Sequence, residues 1–421
     1  MAGYMKDLGN GKFQFEVSKG KDGSGKRDKA YKTVTFTGST PEAIHKKAEK
    51  ALALFVAEVE KGEFIAPTHY TFESYVEDWK KNAQRTLAPK TYYRYNELLR
   101  LHILPKIGAQ KLESITPIIL DNAYEELRQP QKQVRVKKDG TKHEKEYVLS
   151  EMTLKHIHRL IGTILQTAYK KGLIKENPIS RTDAPKVKKH DVQAYDTATI
   201  TQLINDLEDT DLQFKTCVHI TLAGGLRLGE VMGLEWEDVN YEDSTITIRQ
   251  AAQYIPGKGT FTKAPKNETS IRTISLPEPV MKLIVDLEHA QKVRKVELGT
   301  KWKGGRIRDK KAAGEEEKPN RLFTQADGAP MHPYTPTKQW KKFVEEKGLP
   351  PLTFHGLRHT AASYLISLGQ DVASVSKRLG HSNVNTTLSI YTHAFKKKDQ
   401  EAADRMALLY PKKEEGTTKA N

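Results

Sequence analysis

Cysteine is almost absent from this sequence, and so are long apolar segments. Cys217 is the only cysteine among the 421 residues, which excludes a disulfide within the chain and a zinc site built from cysteines. It lies in an apolar stretch, so we expect a small buried residue rather than a reactive thiol. No run of about eighteen apolar residues occurs, and no charged-then-apolar signal segment opens the chain. A reducing, cytoplasmic setting fits these absences.

Acidic residues are in the minority. The chain has 69 Lys and Arg residues against 53 Asp and Glu residues, which leaves a formal net charge of +16. Such an excess favours a polyanionic partner, and nucleic acid is favoured over a membrane surface because no membrane segment is present. A chain of this length is expected to form two or three domains, because one hydrophobic core rarely serves so many residues.

Hydrophobic periodicity divides the chain into three parts. Apolar and polar residues alternate around Phe15 and Phe36, which predicts a small sheet. Thr40 followed by Pro41 predicts the start of a helix that ends near Glu60. Apolar stripes at helical spacing predict an all-helical second domain, and a mixed, mainly helical domain with a small antiparallel sheet follows. The fold class is therefore multidomain α+β. The expected boundaries are 1–64 for the sheet-plus-helix module, 68–180 for the helical domain, 181–190 for a linker, 191–410 for the mixed domain and 411–421 for a tail.

Two segments before the last domain are strongly basic. Segment 131–148 has Asp139-Gly140 near its centre, which predicts a β-hairpin with a two-residue type I′ turn. Segment 181–190 is broken by proline and has the composition of a linker close to phosphates. For the hairpin, a solvated basic surface without a partner is the alternative. The expected nucleic-acid contacts are Lys132, Arg135, Lys137, Lys138 and Lys142 in the hairpin, and Lys186, Lys188 and Lys189 in the linker.

Two pairs of polar residues, each at a spacing of three, stand at predicted helix starts. Arg227 follows a pair of glycines, and Glu230 shares its helix face and can brace the guanidinium. His355 and Arg358 lie on one face near the positive end of a helix, where the arginine fork could bind two phosphate oxygens. Taken singly, each pair is also compatible with a surface ion pair or an ordinary N-terminal histidine.

A third cluster is Leu379-Gly380-His381, and its histidine precedes Tyr391 by ten residues. In this order the three clusters and the tyrosine resemble the signature of the tyrosine recombinases, the phage integrase family. The segment from Ala264-Pro265-Lys266 to Arg272-Thr273-Ile274 also resembles the strand and loop that supply the family's lysine. The three-part layout is most similar to integrases of conjugative transposons and related temperate phages.

The resemblance implies a site-specific recombinase that cuts and rejoins DNA through a 3′-phosphotyrosyl intermediate, without metal or ATP, to integrate and excise a mobile element. It assigns the nucleophile to Tyr391, the general base to His355, the general acid to Lys266 with Lys263 as the alternative, and phosphate binding to Arg227, Arg358 and His381. Residues 1–64 would bind arm-type DNA sites, and the helical domain would bind the crossover site. The implied partners are double-stranded DNA, three further copies of the chain in a homotetramer on DNA, and an excisionase or a host DNA-bending protein at the bacterial nucleoid.

Other functions share some of these residues. His156-Ile157-His158 matches the His-hydrophobe-His string of a metal-dependent relaxase, but it lies in a helical stripe, where neighbouring side chains point about 100° apart. His355 and His359 have the spacing of a zinc helix, but Gly356 stands where the hydrolytic motif needs Glu. A type IB topoisomerase would use the same chemistry at one site, and a non-catalytic DNA-binding regulator could share the scaffold.

Overall fold

The computed structural model describes residues 3–21, 25, 27–61, 70–136, 142–188, 193–263, 271–305, 319–381, 383–390, 406 and 409. The chain forms two compact units, Met1–Lys189 and His190–Asn421, whose boundary falls inside the segment predicted as a linker. Helices predominate in the described residues, and the strands form small antiparallel sheets.

The first unit contains two hydrophobic clusters. Its strands are β1 (Gly3–Asp7), β2 (Lys12–Lys21), β3 (Arg27–Thr35), β4 (Gln131–Val136) and β5 (Lys142–Tyr147). Its α-helices are α1 (Pro41–Glu60), α2 (Phe72–Thr86), α3 (Pro89–Leu98), α4 (Leu104–Ile107), α5 (Pro117–Arg128) and α6 (Glu151–Lys170), with a π-helical turn at Leu99–Ile103 and 3₁₀ turns at Leu112–Ser114 and Pro178–Arg181.

The N-terminal part of this unit is an antiparallel sheet in the order β1-β2-β3 packed on α1. Phe15 on β2 and Phe55 on α1 are buried in their common core. Thr40 caps α1 by accepting the backbone N–H of Ala43 at 3.2 Å, and Pro41 occupies the first turn, as the sequence predicts. Periodicity alone does not predict β1, because four of its five residues are exposed.

Helices α2 to α6 share the second cluster. The longest apolar stripe lies on α6, which begins at the Ser150 cap and buries Leu154, Ile157 and Leu165 among others. Amphipathic periodicity dictates this arrangement, because one face of each helix must leave water.

Strands β4 and β5 form the hairpin of the basic segment, with Gln131 opposite Tyr147 and Val136 opposite Lys142. The predicted type I′ turn at Asp139-Gly140 stays a prediction. Residues 137–141 themselves lie outside the described residues.

The second unit is mainly helical. Its helices are α7 (Thr197–Asp206), α8 (Leu212–Gly224), α9 (Leu228–Val231), α10 (Glu278–Leu298), α11 (Thr335–Glu346), α12 (Gly356–Ser367), α13 (Val372–Leu379) and α14 (Val384–Ile390), with 3₁₀ turns at Trp236–Asp238 and Gly299–Lys301. Its strands are β6 (Val239–Asn240), β7 (Thr245–Ile248), β8 (Ala251–Ile255), β9 (Gly259–Lys263) and β10 (Arg272–Ser275).

Two small antiparallel sheets belong to this unit. One has the order β10-β7-β6, and the other is the hairpin β8-β9. Helices α8, α10 and α11 contribute to one core, in which Cys217 is buried as expected. No helix among the described residues is long and apolar enough to span a membrane.

Candidate active site

Arg227 lies where two helices meet. Gly225 caps the end of α8, its φ of 64° is in the left-handed region, and a Cβ atom there would lie 2.5 Å from Leu379 Cδ2. Glycine is therefore needed both for the turn and for the approach to α13. Arg227 follows as the N-cap residue of α9. The sequence pattern predicts it one position later, in the first turn of that helix. Its guanidinium is held at both ends, because Nη1 donates to Glu230 Oε1 at 2.8 Å and Nη2 to the Gly380 carbonyl at 3.4 Å.

Glu230 joins two arginines. Its Oε2 accepts the backbone N–H of Arg227 at 3.0 Å and Nη2 of Arg272 at 2.8 Å. Burial by itself raises the pKa of the Glu230 carboxyl, but the hydrogen bonds and charges of Arg272 and Arg227 outweigh burial and hold the pKa below its ordinary value. Glu230 is therefore a buried anion that fixes the guanidinium of Arg227.

Arg272 is a site residue that sequence reasoning missed. Its side chain is 8% exposed, and Nε donates to the Arg378 carbonyl at 2.8 Å. It lies near the end of the segment that resembles the family's lysine loop, yet the pattern alone gives it no role. One sequence signal could have found it. Arg272 lies two residues before the buried Ile274 on β10, so both side chains lie on the same side of the strand.

His355 and Arg358 stand at the start of α12. His355 is the N-cap residue, and Arg358 is only 1% exposed, with Nη1 donating to the Gly225 carbonyl at 2.8 Å. The rings of His355 and His359 meet edge to face, with centroids 4.8 Å apart. Burial and the charges of Arg358 and Arg227 lower the pKa of His355, and similar causes lower the pKa of His359 to about 4.

His381 follows the end of α13. Gly380 caps that helix with a φ of 69°, a conformation that favours glycine, and a Cβ atom there would lie 2.6 Å from Arg272 Nη1. His381 Nδ1 lies 2.8 Å from Thr387 Oγ1. Burial, then the charges of Arg358 and Arg227, lower the pKa of His381 to about 4. Arg227 bonds the carbonyl next to His381, and Arg358, three residues after His355, bonds the carbonyl two residues before Arg227. These bonds bring four of the predicted residues into one site.

Several predicted residues lie outside the described residues. They are the nucleophile Tyr391, the general acid Lys266 and the basic residues Lys137, Lys138 and Lys189, together with the side chains of Arg135 and Lys142. Lys263, the alternative acid, is the last residue of β9 and is half-buried. Lys132 is exposed and lies 3.8 Å from Glu146 across the hairpin. Lys186 and Lys188 are exposed in the first unit.

The histidines of the relaxase-like string do not face one another. All three residues belong to α6, where Ile157 and His158 are buried and His156 is exposed. His158 instead shares a 3.1 Å hydrogen bond with the Tyr124 hydroxyl. Within the described ranges, no group of three or more His, Cys, Asp or Glu side chains could hold a metal ion.

Comparison with known sequences decides the family. The model of the phage integrase family matches residues 193–398, and that of the N-terminal SAM-like domain of phage integrases matches residues 71–128, together more than half of the chain. The chain belongs to the phage integrase family. It is a site-specific tyrosine recombinase, as the order of its motifs predicts.

Known relatives extend the likeness to nearly the whole integrase. The ICEBs1 integrase of Bacillus subtilis (strain 168) is 23% identical over 403 residues, which cover 96% of this chain and 98% of that protein. A tyrosine recombinase XerC-like protein of Caldanaerobacter subterraneus subsp. tengcongensis is 24% identical over 420 residues, covering 95% and 97%. The prediction of a site-specific recombinase is confirmed.

Solved structures share the fold. The Tn1549 transposon integrase in complex with a circular intermediate DNA superposes with a TM-score of 0.61 at 18% identity, covering 80% of this chain and 99% of that chain. A lambda integrase tetramer bound to a Holliday junction gives a TM-score of 0.50 at 15% identity, covering 90% and 95%. The integrase-type α+β architecture with a helical majority follows from this likeness.

Proposed function

We propose that this integrase cleaves DNA at the cluster of Arg227, His355, Arg358 and His381, with Tyr391 as the nucleophile. The observation that supports the proposal most directly is geometric. Arg227 donates to the carbonyl of Gly380, the neighbour of His381, and Arg358, three residues after His355, donates to the carbonyl of Gly225, two residues before Arg227. These bonds place two cations close to the two histidines, and burial together with the charges of both arginines lowers the pKa of each ring. A phosphodiester is the substrate group that such a position fits, because it presents two anionic oxygens.

The two arginines act as a phosphate clamp. Each guanidinium is already held by the protein, Arg227 by Glu230 and Arg358 by the Gly225 carbonyl. Donors held in this way need no reorganisation when negative charge accumulates on the nonbridging oxygens in the transition state. The clamp therefore lowers the barrier to attack on phosphorus rather than only binding DNA.

The proton transfers balance without a cofactor. The Tyr391 hydroxyl has an ordinary pKa of about 10, so its proton must be removed as its oxygen attacks phosphorus. His355 takes this proton, since its lowered pKa leaves the ring unprotonated at neutral pH. The bond from phosphorus to the 5′-oxygen breaks, and Lys266 protonates that oxygen. Lys263 is the alternative donor.

The phosphotyrosyl ester keeps the energy of the broken bond. The 5′-hydroxyl of a partner strand can therefore reverse the reaction and join the two strands without ATP. We assign the attacking strand to a second DNA site. Four copies of the chain form a homotetramer on the two sites. The lambda integrase tetramer on a Holliday junction, which shares the fold, supports this assembly.

The other domains are assigned to DNA recognition. The sheet-plus-helix module, residues 1–64, binds arm-type sites, and the helical domain, residues 68–180, binds the crossover site. The basic hairpin and the exposed Lys186 and Lys188 contact DNA phosphates. An excisionase or a host DNA-bending protein then selects excision or integration at the nucleoid. The Tn1549 integrase in complex with circular intermediate DNA supports a DNA partner.

One experiment tests the reaction. A suicide substrate built from the ends of the element should give a covalent adduct with the wild-type protein, also in EDTA. Tyr391→Phe removes one oxygen, so it should bind DNA with unchanged affinity and give no adduct. Wild-type adduct levels with Tyr391→Phe would remove Tyr391 from its role. Cleavage that stops in EDTA and returns with magnesium would indicate a metal-dependent nuclease.

A further inference from the structure

Thr387 differs from five other helical threonines of this protein. Thr163, Thr167, Thr201, Thr216 and Thr221 each donate their hydroxyl to the backbone carbonyl four residues earlier, at 2.7–3.0 Å. Thr387 lies on α14 and is fully buried, but its hydroxyl is bonded to His381 Nδ1 at 2.8 Å. The side chain is therefore directed at the imidazole and not at its own helix.

The direction of this hydrogen bond follows from the hydroxyl's single proton. A buried hydroxyl must donate that proton to an acceptor, because an unpaired buried donor costs about 1–3 kcal/mol. Among the residues that the structure describes, the Thr387 hydroxyl has no bonded acceptor other than His381 Nδ1. If Nδ1 carried a hydrogen, that hydrogen would occupy the contact and the hydroxyl proton would be left unpaired. Thr387 therefore donates, and Nδ1 accepts.

We propose that Thr387 is a positioning residue that fixes His381 as the Nε2–H tautomer, so that the ring presents a hydrogen-bond donor to the scissile phosphate. A neutral imidazole has one N–H, and an acceptor at Nδ1 leaves the hydrogen on Nε2. The opposite tautomer would present a lone pair to an anionic oxygen and repel it. The inference rests on the proposed role of His381 in binding phosphate.

The tautomer matters because the ring is neutral. Burial and the nearby Arg358 and Arg227 lower the pKa of His381 to about 4, so a second N–H is not available at neutral pH. The hydrogen bond also joins His381 to α14. Thr387 lies six residues after His381 and four before Tyr391, so its hydroxyl connects the histidine that is proposed to bind phosphate with the helix that precedes the nucleophile in the sequence.

The full-length protein labelled with ¹⁵N-histidine tests the proposal by NMR. The His381 resonances are assigned by their loss in His381→Gln, and their ¹⁵N shifts report which nitrogen carries the hydrogen. We expect the Nε2–H form in the wild-type protein and in Thr387→Ser, and a shift toward Nδ1–H in Thr387→Val. Thr216→Val is the matched control, because it removes an equally buried hydroxyl that bonds only its own helix.

The rate of adduct formation with the suicide substrate is measured on the same variants. Thr387→Val should be slower on the order of tenfold, the effect of about one hydrogen bond, while Thr387→Ser and Thr216→Val stay near wild type. A wild-type spectrum with hydrogen on Nδ1 would overturn the proposal without any variant, and so would an unchanged tautomer in Thr387→Val. A changed tautomer with an unchanged rate would instead overturn the phosphate-binding role of His381.

Discussion

Arg272 and Arg227 share one carboxylate: Arg272 Nη2 lies 2.8 Å from Glu230 Oε2, and Arg227 Nη1 lies 2.8 Å from Glu230 Oε1. Arg272 also donates to the Arg378 carbonyl, close to the Gly380 turn that precedes His381. One side chain on β10 thus supports both the arginine and the histidine that are proposed to hold phosphate.

Arg272→Lys tests this support. Lysine keeps the positive charge beside the buried Glu230 but cannot bond the carboxylate and the Arg378 carbonyl together. We expect adduct formation to slow on the order of tenfold or more, with DNA affinity unchanged. Arg249→Lys is the control, since Arg249 also pairs with several carboxylates, among them Glu235 and Asp238. Equal rates for Arg272→Lys and the control would show that Arg272 is not needed to orient the clamp.

Arg227→Lys and Arg358→Lys test the clamp itself. Each keeps the charge and loses the planar fork, so each should reduce the cleavage rate on the order of a hundredfold. The two should differ in stability. Arg358 is 1% exposed and donates to the Gly225 carbonyl, whereas the Arg227 side chain is 43% exposed. Thermal unfolding should therefore show a lower Tm for Arg358→Lys than for Arg227→Lys. Cleavage near the wild-type rate by either variant removes that arginine from the clamp.

The pH dependence of cleavage follows from His355. Burial and the charges of Arg358 and Arg227 lower the pKa of this ring below its ordinary value of about 6.5. A general base must be unprotonated, so cleavage reaches its full rate above that pKa and slows as the pH falls through it. With subsaturating DNA, which reports on the free protein, adduct formation should have its acid limb below a pH of about 6.5. The limb should disappear from the residual activity of His355→Gln, and a limb at or above a pH of about 7 would exclude His355 as the base.

The basic hairpin should contribute a salt-sensitive contact to crossover-site binding. Replacing residues 132–145 by a short Gly-Ser linker should weaken binding and reduce the slope of affinity against salt by about one for each phosphate that the hairpin neutralises. The double substitution of Lys341 and Lys342 to Gln removes two exposed charges on α11 and serves as the control. An unchanged affinity and slope in the linker variant would mean that the hairpin faces water.

Deletion of residues 1–64 should separate the two proposed kinds of DNA site. The module has its own hydrophobic cluster, centred on Phe15 and Phe55, so its removal leaves the core of α2 to α6 intact. Gel-shift titrations should show unchanged affinity for the crossover site and loss of binding to arm-type repeats. If the truncated protein does not bind the crossover site, the module is not a domain that binds only arm-type sites.

Much of the site was predictable because its chemistry is local in sequence. The spacing of His355 and Arg358, the Leu379-Gly380-His381 cluster and the position of Tyr391 are enough to indicate the family. Helix starts such as Thr40-Pro41 were predictable for the same reason, because a cap is formed by residues within one turn. The register of the hairpin strands was not predictable in the same way, because register depends on the pairing of whole strands.

The amino-acid sequence alone specifies which chemical groups the integrase has and the order in which they occur. Three-dimensional packing was needed to show that Arg227 reaches the Gly380 carbonyl 153 residues away, that Arg358 reaches Gly225, and that Arg272 belongs to the site. The physical reason is that periodicity and caps depend on neighbours within a turn or strand, whereas these bonds depend on which distant carbonyls the packed helices bring within about 3 Å. The tautomer of His381 is of the same kind, because a hydroxyl that only the fold brings to Nδ1 determines it.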